Sequence, residues 1–173
     1  MNAVLKFEYK HQREYTKDLF CTSSFFFTAT PGSAPMLSKD KTLFLTIIDN
    51  DNNNKKDVPR IIGRAKIKTN SQEITDEIRN KYAEKIKEWR WNKFVVLYDV
   101  QVIDGKIKQG IDLHSVIDKL GLSMFPNTTA KNPHFAYRQK SYRSISKEAE
   151  YYLNQELVKI GLKDLNETNI SNF

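Results

Sequence analysis

The order in which strand and helix patterns follow one another constrains the fold of this chain most. Apolar and β-branched runs predict strands at residues 5–9, 23–28, 42–48, 60–68 and 94–103. Helical periodicity is confined to residues 74–89, 113–120 and 147–160. This alternation is too irregular for a doubly wound parallel sheet. We therefore expect an α+β fold, with a curved, mostly antiparallel sheet or small β-barrel and flanking helices.

Two of the predicted strands alternate apolar and charged residues. In the first strand, Leu5, Phe7 and Tyr9 alternate with the charged residues Lys6, Glu8 and Lys10, which predicts a half-buried strand. The strand at 60–68 follows the same rule, with small and apolar residues on one face and cations on the other. Its predicted solvent face holds Arg64, Lys66 and Lys68.

Capping and turn residues mark the ends of several elements. Asn70, with a glutamate three positions on, predicts the start of the first helix. Asp112 and Gly121 bracket the second helix, and Ser146 and Gly161 bracket the third.

The chain length is that of one domain. We expect a single domain over residues 1–162 and a frayed tail or linker start over 163–173. Within it, Asp104-Gly105 predicts a hairpin after the strongest strand, and the Asn-rich residues 49–57 predict a polar loop.

Composition narrows the functional classes. Hydrophobic residues make up 39% and charged residues 28%, with a net charge of +7, as in an ordinary globular domain with a basic surface. Cys21 is the single cysteine, so an intrachain disulfide is excluded and a reducing, cytoplasmic compartment is expected. No apolar window is long enough for a membrane helix, so we expect no membrane partner. The oligomeric state is left open.

Catalytic patterns are sparse. His11, His114 and His134 lie far apart in sequence, and with one cysteine we expect no metal site and no cofactor. No P-loop, GxSxG or GxGxxG pattern occurs. Glu8-Tyr9-Lys10 matches the Glu-X-Lys tripeptide of restriction-type nucleases, but no acidic residue precedes it as a partner. A binding module is therefore favoured over an enzyme, with a small metal-dependent nuclease kept as an alternative.

Two regions combine cations with aromatic rings. Both tryptophans lie within Trp89-Arg90-Trp91-Asn92-Lys93. Trp89 continues the apolar face of a predicted helix, whereas Trp91 follows the helix and suits either packing or an exposed stacking surface.

The second region is the acid-free stretch from residue 131 to 147. Its cations and rings suit a phosphate-binding, base-stacking surface, or a solvated loop that its aromatic residues anchor. The members are Lys131, His134, Phe135, Tyr137, Arg138, Lys140, Tyr142, Arg143 and Lys147.

A family resemblance rests on three segments. Residues 137–148, a basic and serine-rich strand leading into the last helix, are similar to the closing segment of EVE-type domains. Residues 42–48 followed by Arg60-Ile61-Ile62-Gly63-Arg64-Ala65-Lys66-Ile67 resemble the central strands of that family, and residues 89–102 resemble the corresponding part of EVE and YTH domains. The chain therefore resembles the PUA-like superfamily, of EVE or YTH type.

The resemblance implies a curved barrel with a pocket beside it that accepts a flipped or unpaired modified base, with cations on the flanking phosphates. An aromatic slot favours a methylated base, because the methyl group adds apolar contact. The implied reader of DNA or RNA would suit the recognition part of a restriction or defence system. The expected binding residues are Ser23, Phe25, Arg64, Trp89, Trp91, Lys93, Tyr137, Arg138, Lys140, Ser141, Tyr142 and Arg143. The alternative is a sequence-specific DNA-binding domain on another small barrel.

Overall fold

The strands of this protein form one sheet, seen in a computed structural model that describes residues 3–9, 26–30, 37–49, 58–81, 93–126, 128–135 and 142–165. The strands are β1 (Ala3–Tyr9), β2 (Phe26–Thr30), β3 (Thr42–Asp49), β4 (Val58–Ile67), β5 (Gln72–Glu73), β6 (Lys93–Ile103), β7 (Ile111–Asp112), β8 (Tyr142–Ile145) and β9 (Leu162–Asp164). The α-helices are α1 (Asp76–Lys81), α2 (Leu113–Leu120) and α3 (Lys147–Ile160).

The main path of the sheet runs β2-β6-β4-β3-β1-β8, with β5 and β9 also pairing with β6 and β7 with β4. Only β1 and β3 pair in parallel among the described strands, and every other pairing is antiparallel. The predicted α+β fold with a mostly antiparallel sheet is confirmed. The two end strands, β2 and β8, do not pair with each other among the described residues, so the sheet is open there.

The first strand is buried on both faces, and the prediction that it is half-exposed is wrong. It lies between β3 and β8, and every described side chain from Ala3 to Phe7 is buried. Lys6 is only 2% exposed. Alternation of charge and apolarity misleads here because packing against other parts of the fold covers the face of β1 that holds Val4 and Lys6, and the pattern of a single strand cannot show this.

Two register shifts bend β4 and β6. Leu45 pairs with Gly63 but the next residue of β3 pairs with Ile61, so Ile62 is an extra residue in β4. Both Ile61 and Ile62 are buried as a result. Gly63 lies where β4 approaches β6 closely, because an added Cβ would lie 2.5 Å from the carbonyl oxygen of Gln101.

The capping predictions are confirmed for α2 and α3. The Asp112 carboxylate accepts from the backbone N–H groups of His114 and Ser115, and the Ser146 hydroxyl accepts from the backbone of Ala149. For α1 the predicted cap at Asn70 is wrong. The helix begins at Asp76, and the backbone N–H of Ile78 donates to the Thr75 hydroxyl instead. The predicted continuation of this helix beyond residue 81, and the predicted polar loop over residues 50–57, lie outside the described residues.

Two connections differ from the predictions. The Asp104-Gly105 turn does not close a hairpin: it leads through a 3-10 turn (Ile107–Gln109) to β7, which pairs with β4 instead of β6. The tail expected to fray from residue 163 instead begins as sheet. Leu162–Asp164 pairs with β6, and Leu165 is buried.

Candidate nucleic-acid interface

A polar cluster on one face of the sheet centres on β4. Side chains two residues apart on a strand share a face, and register partners on neighbouring strands share it too. Arg64 pairs with Phe44 on one side and Gln101 on the other, and Lys66 pairs with Thr42 and Tyr98. Arg64, Lys66 and Tyr98 are here called the basic patch.

Arg64 is held by two neutral side chains. Its Nε donates to Gln101 Oε1 at 2.9 Å, and its Nη1 donates to Asn154 Oδ1 of α3 at 2.7 Å. Gln101 in turn donates from its Nε2 to Asp164 Oδ1 at 3.1 Å, so the carboxylate of Asp164 is linked to Arg64 through the amide of Gln101. The guanidinium is thus oriented by amides that leave its positive charge unneutralised.

Lys66 is held in the same way. Its Nζ donates to the Thr42 hydroxyl at 2.7 Å. Within the described ranges neither Lys66 nor Arg64 forms an ion pair. Two half-buried cations therefore lie side by side on one strand with only neutral partners, an arrangement that favours an anionic ligand.

A β-bulge exposes the aromatic member of the patch. Arg64 pairs with Gln101 and Lys66 with Tyr98, so β6 contains one residue more than β4 over this stretch. Asp99 within it has a φ of 49°, in the left-handed region that aspartate tolerates better than most residues. Tyr98 is 38% exposed, beside Lys66, where its ring is available for stacking.

Arg143, predicted to bind nucleic acid, lies on the same face but not in the basic patch. Arg143 of β8 pairs with Leu5 of β1, Leu5 pairs with Phe44 of β3, and Phe44 pairs with Arg64 of β4. Three strand spacings, about 14 Å, separate the two arginines, and the side chains of Leu5 and Phe44 between them are fully buried. Among the described residues, the Nε of Arg143 is buried and has no hydrogen-bond partner.

Two further predicted residues lie elsewhere in the sheet. Lys93 is the first residue of β6, half-buried and paired with Thr30 and Glu73, at the far end of the strand from Gln101. Tyr142 begins β8 and pairs with Lys6 on the face opposite Arg143.

Most of the predicted binding residues lie outside the described part of the chain, so their grouping stays a prediction. These are Ser23, Phe25, Trp89, Trp91, Tyr137, Arg138, Lys140 and Ser141. The same holds for Lys10 and the side chain of Glu8 in the nuclease alternative, although the backbone of Glu8 pairs with Ile47.

Sequence reasoning missed Tyr98, Gln101 and Asn154. Tyr98 and Asp99 interrupt the apolar run of β6, and this interruption is the sequence feature that could have indicated a bulge there. The residues around Asn154 do not indicate its role, because the side chain it contacts, Arg64, lies 90 positions away in sequence.

A second polar contact lies away from the basic patch. His134 Nε2 lies 2.7 Å from Asp118 Oδ1, and the His114 and His134 rings meet edge to face at 5.4 Å. Within the residues that the structure describes, no three histidine, cysteine or acidic side chains come together to hold a metal ion. None of the helices in the described ranges combines the length and apolarity needed to cross a membrane.

Comparison with known proteins finds a distant structural similarity. No protein-family model and no curated protein matches this chain. Among solved structures, it is similar to a crystal structure of a ZmASCH mutant protein from Zymomonas mobilis, at 12% identity and a TM-score of 0.49. The alignment covers 90% of this chain and 98% of that chain. A similarity this low assigns no family to the chain.

Proposed function

We propose that this chain is a nucleic-acid-binding domain of the PUA-like class that its sequence resembles. The proposal rests on Arg64 and Lys66, which lie two residues apart on β4 and, among the described residues, bond only to neutral side chains. Two such cations left unneutralised suit the phosphates of a polyanion, whose binding is strengthened by release of counterions.

Tyr98 adds a feature that a purely electrostatic surface lacks. Its partly exposed ring lies beside Lys66, so a phosphate on the cations would bring a neighbouring base within reach of the ring. Stacking on an aromatic side chain requires an unpaired base, which favours a single-stranded or locally opened ligand over intact duplex.

The finer proposal is that the domain reads a modified base. It rests on the sequence resemblance to EVE and YTH domains. The residues expected around the pocket are Ser23, Phe25, Trp91, Tyr137, Arg138, Lys140, Ser141 and Arg143. It is a binding module in this proposal, and a catalytic partner would be needed for any defence role.

A binding screen tests the proposal. Fluorescence anisotropy would measure the affinity for labelled single- and double-stranded DNA and RNA, with and without methylated bases, at about 50 and 200 mM salt. The double variant Arg64→Gln with Lys66→Gln should weaken binding and lower the salt dependence by about two phosphate contacts. Lys108→Gln is the control, because Lys108 is an exposed lysine on the 3-10 turn and is not a member of the basic patch.

The outcomes separate the alternatives. Salt-sensitive binding that the double variant weakens supports the proposal, and preference for methylated ligands supports its finer form. Strong selection among unmodified duplexes would favour a groove-reading DNA-binding domain instead. Binding that Lys108→Gln and the double variant weaken equally would overturn the role of the basic patch.

A further inference from the structure

The two cations of the basic patch belong to a longer row. Lys68 follows the last residue of β4, and its backbone N–H still donates to the carbonyl oxygen of Val96 on β6 at 2.8 Å. Alternation along the strand therefore places Arg64, Lys66 and Lys68 on one face, with about 7 Å between successive residues. Within the described part of the chain, Lys68 forms no ion pair. These three residues are here called the cation row.

The cation row is open to solvent at the Lys68 end. Arg64 and Lys66 are half-buried, whereas Lys68 is exposed. Tyr98, the register partner of Lys66, is 38% exposed. A strand of nucleic acid can therefore approach over Lys68 and Tyr98 and extend away from them into solvent.

The row is closed at the Arg64 end. The next register pair on this face is Thr46 with Ile61, and both side chains are fully buried. Phe44, beside Arg64 on β3, is also fully buried. From α3, the side chain of Asn154 contacts the guanidinium of Arg64. A ligand strand that reaches Arg64 along the row thus meets packed protein and cannot continue along β4.

The remaining side of Arg64 carries an acidic residue. Arg64 Nε donates to Gln101, and Gln101 donates to the carboxylate of Asp164 on β9 at 3.1 Å. Asp164 is exposed. A phosphodiester backbone that turned towards β9 would approach this carboxylate, and like charges repel each other. A strand that ends at Arg64 avoids both obstacles.

Arg64 retains the donors that a terminal phosphate needs. A guanidinium has five N–H donors. Among the described residues two of them are used, one on Nε and one on Nη1. The other three lie on Nη1 and Nη2, the two nitrogens that together can bind two oxygens of one phosphate. A phosphate monoester at a strand end carries about −1.5 to −2 charges at neutral pH, whereas each phosphodiester within the strand carries one.

We propose that the cation row binds the phosphorylated end of a single-stranded nucleic acid, with the terminal phosphate on Arg64 and the following phosphates on Lys66 and Lys68. This inference rests on the proposed nucleic-acid function and names the ligand class of the same site. Because Tyr98 lies beside Lys66, its ring would stack a base close to that end. A 5′-phosphate and a 3′-phosphate share this chemistry, and the experiment tests each of them.

The test compares strands of one sequence that differ only at their ends. Competition against a labelled strand, followed by fluorescence anisotropy, would measure the affinity of the full chain for strands of about six nucleotides, within the site sizes of single-strand-binding domains. Each strand carries a 5′-phosphate, a 3′-phosphate or neither. One phosphorylated form should bind at least about tenfold more tightly than the unphosphorylated strand, as loss of charge-assisted hydrogen bonds predicts. A longer strand should bind more weakly when circular than when linear and phosphorylated.

Two variants test the positions within the row. Arg64→Lys keeps the charge but lacks the planar fork that holds two oxygens of one phosphate, so it should remove most of the preference for the phosphorylated end. Lys68→Gln is the comparison, because it removes an exposed cation at the open end of the row. It should weaken phosphorylated and unphosphorylated strands by the same factor. If Arg64→Lys does not fold, the ligand series on the unchanged protein still decides.

Equal affinity for phosphorylated and unphosphorylated strands, or for circular and linear ones, would overturn this inference. If the double variant Arg64→Gln with Lys66→Gln then still weakened the binding of every strand, the proposed function would survive without it. A preference for one phosphorylated end that Arg64→Lys left unchanged would overturn the assignment of that end to Arg64. If no strand bound at either salt concentration, the proposed function would fail together with this inference.

Discussion

Asn154 of α3 accepts a 2.7 Å hydrogen bond from Nη1 of Arg64, a residue 90 positions earlier on β4. This contact joins the last helix to the centre of the sheet through a neutral side chain. It both orients the guanidinium and leaves its charge available to a ligand. A substitution of Asn154 by aspartate would therefore change the charge beside Arg64 while keeping the shape of the side chain.

Asn154→Asp should weaken nucleic-acid binding while preserving the fold. The new carboxylate would occupy the place of the amide and form an ion pair with Arg64, so that a phosphate would have to compete for the guanidinium. We expect the slope of log affinity against log salt to fall by about one phosphate contact, measured by anisotropy.

Gln155 offers the control for that variant, because it is exposed and lies next to Asn154 on α3. Gln155→Asp, which also adds an acidic residue to α3, should change binding much less than Asn154→Asp. If both variants weakened binding equally, the effect would come from net charge and not from the patch.

Tyr98→Ala should reduce the affinity for single-stranded ligand more than for duplex. Loss of one base–ring stack costs about 1–3 kcal/mol, whereas a duplex offers no unpaired base to the ring. Tyr151→Ala removes another exposed ring, 67% exposed on α3, and serves as the comparison. An equal loss for both ligands in Tyr98→Ala would argue against stacking.

Gly63→Ala should destabilise the protein by about 1–3 kcal/mol, as overpacking does in a buried site. The added methyl would lie 2.5 Å from the Gln101 carbonyl oxygen, which is backbone and cannot move aside cheaply. Urea unfolding followed by circular dichroism measures the change. A loss below about 0.5 kcal/mol, the range of neutral surface changes, would mean that β4 and β6 are less tightly apposed.

Asp112→Ala should cost about 1 kcal/mol of unfolding free energy, because the carboxylate caps α2 through the backbone N–H groups of His114 and Ser115. Ser115→Ala is the neighbouring control, since its backbone and not its side chain makes the cap contact. Thermal unfolding of the two variants separates the contribution of the cap from that of any change in the first turn.

The sequence predicts the ends of α2 and α3 to the residue, and the reason is local. A cap such as Asp112 or Ser146 and a terminating glycine act on backbone groups within one turn, so neighbouring residues suffice to identify them. The prediction fails at Asn70 because the same residue types also serve turns. Asn70 Oδ1 accepts from the backbone of Lys39 in a contact between distant segments.

Long-range pairings account for what could not be predicted. Nothing near Lys6 in sequence shows that its face of β1 is covered in the fold, so its alternating pattern was consistent with a half-exposed strand. The same limit applies to the candidate site. Arg64 was identified from its place on a charged strand face, but its partners on β6 and α3 come from remote segments.

The parallel pairing of β1 with β3, together with its pairing to β8, has a consequence for synthesis on the ribosome. Ala3 pairs with Thr42 and with Ile145, so β1 acquires its second neighbour only when β8, far later in the chain, has been translated. Contacts this distant slow folding and keep an apolar segment exposed meanwhile. A nascent chain of this protein should depend on chaperones until residue 145 has left the exit tunnel.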